Sequence, residues 1–507
     1  MMIIDQEKLV DNIIISDIIR VYPELKKLIE TCSPYEVRGK ILSVLDPRND
    51  LHYDYKEFHE LNLECEELKY LDEIAVTLRN YVRVADTEVK DFAEVMTPIP
   101  LVEEMLDTLP KEVWSNKDLK WLDPCAGVGT FPSIVVQRLM KGLKKVIPNK
   151  NKRYRHIIEN MIYVCEIQAK NMFIFHCIFD RPNIFELNTF YGSFLSDEFN
   201  EHMTDVWGVD KFDIIIGNPP YQTSTTHGKK VTGNGALWVL FNVKCLEILK
   251  DEGYFTFITP DSWSAPTYDL MGSRESLLND YYKKYNLYYI NFDKHFDVGV
   301  NTSVISLQKS NNYSTTKIKI KDVVLEINLN NFNFLPKDLS NISLSIHSKL
   351  LSPIENKNKI KMRWTKPVTS NKINDIQNDE FKYKIIDNNS YKPIRYGKYE
   401  DIDTKRTKLL FPYIGKYQVI SDEQGEYGAK SQVSILFTDN VESAFSFYNS
   451  KLFNFIMNSN KWTQYLLTQI LNFIEQPNFD KIYTDNDVYI LFNLTKEEIN
   501  YIETQIK

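Results

Sequence analysis

The chain has 507 residues, more than most single domains hold, so we expect two or three units that each bury a core of their own. Its residues are 43% hydrophobic but form no run long enough to span a bilayer, and the first residues lack the basic start and apolar stretch of a signal peptide. We therefore expect an intracellular, cytoplasmic protein without membrane contact. The net charge of -8 excludes a uniformly basic molecule, and six scattered cysteines argue against a disulfide framework or a cysteine-rich zinc site, so we predict no metal centre.

Hydrophobic periodicity divides the chain into three predicted domains. Residues 1–90 carry apolar residues at helical spacing among many charges, which predicts a helical N-terminal region. In residues 91–310, short apolar runs alternate with helical stretches, a rhythm typical of a largely parallel α/β sheet. Residues 311–507 lose that rhythm and predict a separate α+β domain, with strand-like alternation in residues 316–320. Near its end, apolar residues at helical spacing predict core helices: Phe445, Tyr448, Leu452, Phe455 and Ile456.

A glycine loop follows the first predicted strand of the α/β region. The strand ends at Asp123, and a helix begins after the loop, whose residues include Pro124, Ala126, Gly127 and Gly129. Glycines let a ligand approach the backbone closely, and a helix N-terminus offers unpaired N–H groups. The loop is therefore either a binding site for a polar cofactor or a plain tight turn.

Glu166 ends the next predicted strand after this loop. A carboxylate there can accept hydrogen bonds from both hydroxyls of a ribose, although a solvated acid is the alternative. A dinucleotide-binding domain is the second interpretation, but it requires three glycines and an acidic residue nearer to them. An adenosine cofactor without a pyrophosphate fits the spacing better.

The most specific motif is an apolar strand, residues 213–216, that runs through Gly217 into Asn218-Pro219-Pro220-Tyr221. Proline fixes its own φ and keeps the preceding residue out of the helical region, so the turn should be rigid and extended. Neither proline has an N–H, so the Asn218 side-chain oxygen and the Pro219 carbonyl can both accept from one amino group. That nitrogen can then direct its lone pair at the methyl carbon of a sulfonium donor, and Tyr221 offers a stacking face for a base.

Two other interpretations of this motif remain. The first is a structural Pro-Pro turn. The second is a cytosine-C5 enzyme, but such an enzyme needs a Pro-Cys nucleophile after this strand, whereas the nearby pair, Pro124-Cys125, lies in the glycine loop. The motif therefore favours methyl transfer to an amino group.

In content and order these motifs resemble the gamma class of amino-methylating DNA methyltransferases, specifically the Eco57I-like adenine-N6 methylases of restriction-modification systems. As in that class, a Thr-Pro pair, here Thr97-Pro98, precedes the glycine loop, and an unassigned domain comes last. The resemblance covers residues 90–310 closely and the C-terminal part loosely. It implies a Rossmann-like S-adenosylmethionine-dependent methyltransferase domain, between a helical N-terminal extension and a C-terminal α+β target-recognition domain. It also implies base flipping in double-stranded DNA and a cognate restriction endonuclease as a partner.

The resemblance assigns cofactor roles position by position. Thr97 and Pro98 would flank the methionine part of S-adenosylmethionine, and Glu166 would hold its ribose. The amino and carboxylate groups would meet the glycine loop, at Asp123, Ala126 and Gly127, with Pro124 and Gly129 in the same loop. The family has an acidic residue in a Gly-Asp-Phe-Leu segment, but the matching residue is Ser193, so this cofactor contact loses its charge.

The resemblance also assigns the target base. Asn218, Pro219 and Tyr221 would hold it, and Phe296 would pack on its opposite face. For Phe296, a role in the hydrophobic core is the alternative.

A basic segment in the last predicted domain is the candidate DNA contact. Residues 357–416 contain 15 Lys and Arg against 7 Asp and Glu, a local charge of +8, with aromatic residues between the charges. We expect phosphate or base contacts from Arg395, Lys398, Lys405 and Arg406, and a solvated surface is the alternative.

Three rival functions stay open. The same family contains methyltransferases fused to an N-terminal nuclease, although residues 1–90 show no clear magnesium-binding carboxylate cluster. RNA and protein-glutamine methyltransferases also use an Asn-Pro-Pro-Tyr motif, but are usually shorter. A catalytically silent DNA-binding protein is the third, with Ser193 as its hint.

Overall fold

The computed structural model describes residues 97–180, 185–221, 237–265, 277–296, 301–312, 314–321, 323–351, 361–363, 373–430, 432–461, 466 and 468–506. The predicted helical N-terminal region, residues 1–90, lies outside them. The described chain divides into two compact units. The first holds the described residues up to Pro260 together with Lys284–Glu326, and the second holds those of Asp261–Lys283 and Ile327–Lys507.

The first unit is built on one large sheet. Its strands are β1 (Trp121–Asp123), β2 (Ile162–Glu166), β3 (Asn188–Tyr191), β4 (Phe212–Gly217), β5 (Leu249–Pro260), β6 (Asn286–Asn291), β7 (Thr302–Gln308), β8 (Thr316–Ile320) and β9 (Val323–Ile327). Among the described residues these nine strands lie in the order β3-β2-β1-β4-β5-β7-β6-β8-β9. β1 to β5 pair in parallel, and β7 is antiparallel to both β5 and β6. The predicted α/β fold with a largely parallel, Rossmann-like sheet is confirmed.

Helices alternate with these strands, as the sequence predicts. They are α1 (Ile99–Asp107), α2 (Thr130–Gly142), α3 (Lys150–Asn160), α4 (Ala169–Phe179), α5 (Asp197–Glu201) and α6 (Leu237–Ile248), with short 3-10 or π turns at Lys111–Ser115 and His202–Val206. β1 and β2 are buried along their length, and β4 is buried at every residue except Asp213, which is why β4 is nearly all apolar. Apolar side chains of α1 to α4 pack with those of β1, β2 and β4 in one core.

The second unit combines two small sheets with helices. Its strands are β10 (Lys361–Arg363), β11 (Ile373–Asn374), β12 (Tyr383–Ile386), β13 (Ile394–Gly397), β14 (Lys408–Pro412), β15 (Ile420–Asp422), β16 (Gly428–Ala429) and β17 (Val433–Phe437). The sheet orders are β10-β17-β14-β15 and β11-β13-β12-β16. The helices are α7 (Asn341–Leu350), α8 (Val441–Tyr448), α9 (Lys451–Ser459), α10 (Asp485–Leu491) and α11 (Lys496–Gln505), with shorter turns at Asp261–Ser264, Leu277–Tyr281, Tyr282–Lys284, Leu329–Asn331 and Thr468–Phe473. This content agrees with the predicted α+β class.

Two sequence expectations can be followed into this fold. The strand predicted at residues 316–320 forms as β8, but it pairs with β6 inside the first unit. The domain boundary near residue 310 therefore stays a prediction, because the first sheet continues past it. The apolar helical pattern that starts at Phe445 forms α8 and α9, and four of its five residues are buried: Tyr448, Leu452, Phe455 and Ile456. In the part of the chain that the structure covers, no helix is long and apolar enough to cross a membrane.

Candidate active site

The carboxyl ends of neighbouring strands bring predicted site residues to one edge of the sheet. β1 ends at Asp123, and its parallel neighbours β2 and β4 end at Glu166 and at Gly217, directly before Asn218. A Cβ atom built on Gly217 would lie 3.2 Å from Asp123 Oδ1, so these two strand ends are in direct contact. The strand order also reverses at β1. α/β sheets bind ligands in the crevice at such a point, outside the carboxyl ends of the strands.

The glycine loop and Glu166 are joined directly. The Gly127 amide donates to Glu166 Oε2 over 2.8 Å, and the Gln168 amide donates to Oε1 over 2.7 Å. Gly127 has φ of 55°, and no atom lies within 4 Å of the position that a Cβ atom would take there. The loop therefore leaves open space in front of its backbone, next to a carboxylate that two amides hold in place.

Other residues of the same loop serve packing. Gly129 has φ of 92°, and a Cβ atom there would lie 2.7 Å from the Phe179 ring and 2.8 Å from the Phe175 ring. Pro124 and Ala126 are buried, and the Ala126 amide donates to a backbone carbonyl of β2. Their predicted cofactor contacts stay predictions, while the need for glycine at position 129 follows from packing.

Asp123 is a buried acidic residue, and only one of its two carboxyl oxygens has a hydrogen-bond partner among the described residues. Oδ1 accepts from the Cys125 amide over 3.1 Å, whereas the buried Oδ2 has no partner among the described residues. Burial raises the pKa of Asp123 to about 8, helped by the negative charge of Glu166 and opposed by the Cys125 amide. Burial also raises the pKa of the Cys125 thiol well above its ordinary value, so this thiol is a poor nucleophile.

The Asn218 carboxamide is held at both ends. Its nitrogen donates to Thr97 Oγ1 over 3.2 Å, and its oxygen accepts from the Tyr221 hydroxyl over 2.8 Å. Burial raises the pKa of Tyr221 well above its ordinary value, so this hydroxyl stays protonated and remains a donor. The contact with Thr97 was not foreseen, since the sequence placed Thr97 beside the methionine part of a cofactor.

The two prolines complete the turn. Pro219 is buried and Pro220 is half-buried. No described residue donates a hydrogen bond to the Pro219 carbonyl. The turn therefore offers two acceptors in succession. The Asn218 side-chain oxygen already accepts one hydrogen bond, and the Pro219 carbonyl accepts none from the described residues.

Three further predicted residues have defined surroundings. Ser193 follows β3, and its hydroxyl accepts from the Leu195 amide over 3.3 Å, so it is engaged locally. Phe296 is 8% exposed and belongs to the hydrophobic cluster against which Tyr221 packs. Pro98 is exposed and starts α1, where its carbonyl accepts from two backbone amides of the first turn. The structure describes no ligand contact for these residues, so their binding roles stay predictions.

Sequence reasoning missed a polar network around Glu104, on the same helix that follows Thr97. Its carboxylate accepts from Tyr289 over 2.7 Å, from Asn291, and from Lys319 over 2.8 Å. Burial opposes ionisation, but these hydrogen bonds hold the pKa of Glu104 below its ordinary value. The network connects α1 to β6 and β8, which are far away in sequence, and no local sequence motif predicts it.

The cations predicted to contact DNA lie in the second unit and have partners there. Arg395 pairs with Asp375 over 2.7 Å and with Asp387 over 3.1 Å. Lys398 pairs with Glu380 over 2.5 Å and Lys405 with Glu400 over 3.1 Å, while the Arg406 guanidinium lies 3.5 Å from the centre of the Phe437 ring. These four residues therefore interact with acidic or aromatic side chains of their own unit.

Comparison with known proteins supports the sequence assignment. Residues 149–298 match the family model described as Eco57I restriction-modification methylase. A protein of Mycoplasma pneumoniae named as an uncharacterized adenine-specific methylase is 26% identical over 292 residues, which cover 45% of this chain and 68% of that protein. The modification methylase CviBIII of Paramecium bursaria Chlorella virus NC1A is 27% identical over 158 residues, covering 28% of this chain and 39% of the viral enzyme. The predicted resemblance to the Eco57I-like methylases is confirmed.

Solved structures resemble parts of this chain. The nuclease-deletion mutant of the Type ISP restriction-modification enzyme LlaGI, in complex with a DNA substrate mimic, has a TM-score of 0.49 and 14% identity, covering 89% of this chain and 60% of its own. A putative class I S-adenosylmethionine-dependent methyltransferase from Listeria monocytogenes has a TM-score of 0.34 and 16% identity, covering 62% of this chain and 90% of its own. The strand order of the present chain, rather than these superpositions, establishes its fold.

Proposed function

We propose that this restriction-modification methylase transfers a methyl group from S-adenosylmethionine to the N6 amino group of an adenine in double-stranded DNA. One observation carries the proposal: the Asn218 carboxamide is fixed on a proline turn at the end of β4, in contact with the strand end that carries Asp123 and the glycine loop. The Mycoplasma pneumoniae relative is named as an adenine-specific methylase, which supports adenine as the target. The family supports a role in restriction-modification or DNA protection, with a restriction endonuclease as partner.

The residues at the crevice fit S-adenosylmethionine chemically. Once ionised, Asp123 can accept a hydrogen bond from a ligand amino group through its unpartnered Oδ2, and a positively charged ligand favours that ionised form. The open space at Gly127 gives room for a ligand against the backbone. Glu166 keeps a second lone pair on each oxygen after the Gly127 and Gln168 amides have donated, so it can still accept from ribose hydroxyls. Bound S-adenosylmethionine would supply a methyl group activated by a sulfonium, so the chain itself needs no strong base.

The chain's part in the reaction is to position an amino group. The Asn218 oxygen accepts one hydrogen bond from Tyr221 and has a second lone pair for an amino proton, and the Pro219 carbonyl can accept the other proton. When both protons are held, the nitrogen lone pair is withdrawn from the adenine ring and becomes nucleophilic. After it has gained the methyl group, the amino nitrogen loses one of its protons to water. The Cys125 thiol, whose pKa is raised, plays no part in this scheme, which separates the scheme from cytosine-C5 chemistry.

Reaching such a turn requires that the base leave the duplex. An adenine inside a stacked helix cannot place its amino group between two acceptors of a protein turn, so we propose base flipping, which costs a few kcal/mol, roughly. Tyr221 and Phe296 share one hydrophobic cluster, and stacking on an aromatic ring offsets about 1–3 kcal/mol of that cost.

The test is to express the protein in a bacterial host that lacks adenine methylases and to read the host DNA by sequencing that detects N6-methyladenine. We expect one methylated motif with the wild type and none with Asn218→Ala. In purified form, this variant should be slower by about two to three orders of magnitude, as when a group hydrogen-bonded to the reacting atoms is removed. The matched control Asn330→Ala changes an exposed asparagine of the second unit and should methylate normally.

A second measurement separates flipping from transfer. A duplex with 2-aminopurine at the target position should become more fluorescent when the wild type or Asn218→Ala binds, because both can extrude the base. Unchanged methylation in Asn218→Ala would remove Asn218 from the mechanism. Methylation without any change in fluorescence would contradict base flipping but leave the proposed methyl transfer standing.

A further inference from the structure

Two loops of the second unit form a surface that the predicted site residues do not include. It consists of Asn389, Tyr391 and Lys392 from one loop and Lys416 from another, and we call it the Tyr391 surface. All four residues are exposed, and the Tyr391 side chain is exposed over 66% of its area. The ring is therefore accessible to a ligand from solvent.

The two loops are fixed to each other by backbone hydrogen bonds. The Ser390 amide donates to the Ile414 carbonyl over 2.9 Å, and the Ile414 amide donates to the Asn388 carbonyl over 2.7 Å. The Lys416 amide donates to the Ser390 hydroxyl over 2.8 Å. The Tyr391 ring packs against Gly415, where a Cβ atom would be 3.0 Å from it. The aromatic ring and the lysines on both loops are therefore held on one rigid support.

The charge of this surface is unbalanced. Neither Lys392 nor Lys416 has an ion-pair partner among the residues that the structure describes. The carboxylate next in sequence, Asp387, is buried and already accepts from Arg395 over 3.1 Å and from Lys430 over 3.2 Å. Lys398 and Lys405, which the sequence predicts as DNA contacts, each form an ion pair with a carboxylate of their own unit.

We propose that the Tyr391 surface binds the phosphate backbone of the substrate DNA, with Lys392 and Lys416 as the cations that contact phosphates and Tyr391 against a sugar or base. This inference rests on the proposed function and names the binding surface for its substrate. Unpaired lysines release condensed counterions when they meet phosphates, whereas a paired lysine must first give up its carboxylate. On duplex DNA, tyrosine side chains as well as lysines contact phosphate and sugar groups. An acidic protein partner would use the charges but not need the ring.

The experiment measures binding of a labelled 30-base-pair duplex of random sequence by fluorescence anisotropy at several salt concentrations. The double variant Lys392→Gln/Lys416→Gln should lower the slope of log affinity against log salt by about 2. Raising the salt from about 50 to 200 mM should therefore weaken the wild type about tenfold more than this variant. In methylation assays the variant should raise KM for DNA and leave kcat close to the wild-type value.

A control with the same loss of charge is available on the same unit. Lys451→Gln/Lys481→Gln removes two exposed lysines that are paired with Glu503 and Asp487, and its salt slope should stay close to that of the wild type. The comparison variant Lys398→Gln/Lys405→Gln should have the smaller effect of the two basic-segment variants. Two results would overturn the inference. One is a larger effect of Lys398→Gln/Lys405→Gln than of Lys392→Gln/Lys416→Gln, and the other is wild-type binding by Lys392→Gln/Lys416→Gln.

The two proposals fail in different ways. If the wild type methylates DNA but its binding does not depend on Lys392 and Lys416, the surface is wrong and the function stands. If binding depends on these lysines but no duplex is methylated, the surface stands and the enzymatic proposal fails. Binding of S-adenosylhomocysteine, measured by calorimetry, should be equal in all variants and shows that each remains folded. Equal loss of affinity for a single-stranded and a double-stranded probe would also contradict a surface for duplex DNA.

Discussion

Two hydrogen bonds set the direction in which the Asn218 carboxamide faces, and the one to Thr97 holds its nitrogen. Asn218 Nδ2 donates to the buried Thr97 hydroxyl, and this leaves the oxygen toward Tyr221 and the predicted target. In Thr97→Val the amide nitrogen has no acceptor there, and the group can rotate by half a turn. We expect kcat to fall about tenfold, which corresponds to roughly 1–2 kcal/mol for one lost hydrogen bond, while the affinity for S-adenosylhomocysteine changes little.

The comparison with Thr97→Ser completes this test, because serine keeps the hydroxyl and should restore most of kcat. The sequence resemblance places Thr97 at the cofactor instead, and the two roles give different kinetics. If Thr97→Val weakens cofactor binding and has normal kcat at saturating cofactor, Thr97 acts on the cofactor. Its hydrogen bond with Asn218 then does not contribute to kcat. Calorimetry and steady-state rates measured on the same preparations separate these outcomes.

At the scale of the loop between β1 and α2, two glycines with positive φ have different tasks. An alanine at either position is strained, by about 1 kcal/mol. At Gly129 its Cβ atom would also meet the rings of Phe175 and Phe179, whereas at Gly127 it would enter open space. We expect Gly129→Ala to lose about 2–4 kcal/mol of unfolding free energy and Gly127→Ala about 1 kcal/mol. Chemical denaturation checks this order.

Cofactor binding should reverse that order. Gly127→Ala places a methyl group where a ligand would approach the backbone, so it should weaken S-adenosylhomocysteine binding by at least tenfold in a folded protein. Gly129→Ala, examined below its unfolding temperature, should bind more tightly than Gly127→Ala. Normal binding by Gly127→Ala would show that the open space in front of this loop is not part of the cofactor site.

The same elements show which parts of the site the sequence can predict. Asn218 and its prolines are readable because the backbone restrictions of proline act between neighbours. The position of Glu166 is readable because an apolar strand ends there. The partners of these residues are separated from them by much longer stretches: Thr97 from Asn218, and Gly127 from Glu166. Such pairs can be predicted only when the order of the strands in the sheet is known, and that order cannot be inferred from the local motifs of one sequence.

The whole molecule shows the same limit for charge. The sequence count of +8 for residues 357–416 finds the basic segment but treats all its cations alike. In the folded second unit, Lys408 forms a buried pair with Asp422, and Arg395 lies between two carboxylates. Some of that positive charge therefore stabilises the unit and is not available to a ligand. The cations without partners are identified only after folding.

Two buried titratable groups contribute opposite pH dependences to the stabilities of the two units. Burial raises the pKa of Asp123, in the first unit, from 3.8 to about 8. The folded first unit therefore binds this proton more tightly than the unfolded chain, and its stability falls as pH rises from 3.8 to about 8. Burial lowers the pKa of His347, in the second unit, from 6.5 to about 4. Stability from neutral His347 is complete above pH 6.5 and is lost as pH falls toward 4.

Ligand-free protein should therefore show two unfolding signals that move in opposite directions. Between pH 8 and pH 5 the first unit should become more stable, and below pH 6.5 the second should lose about 1.4 kcal/mol per pH unit at the steepest point. Asp123→Asn should flatten the first dependence and keep the acceptor for the Cys125 amide. His347→Gln should flatten the second, because the glutamine does not titrate. Differential scanning calorimetry across this pH range measures both, and parallel shifts of wild type and variants at every pH would show that neither group controls the stability of its unit.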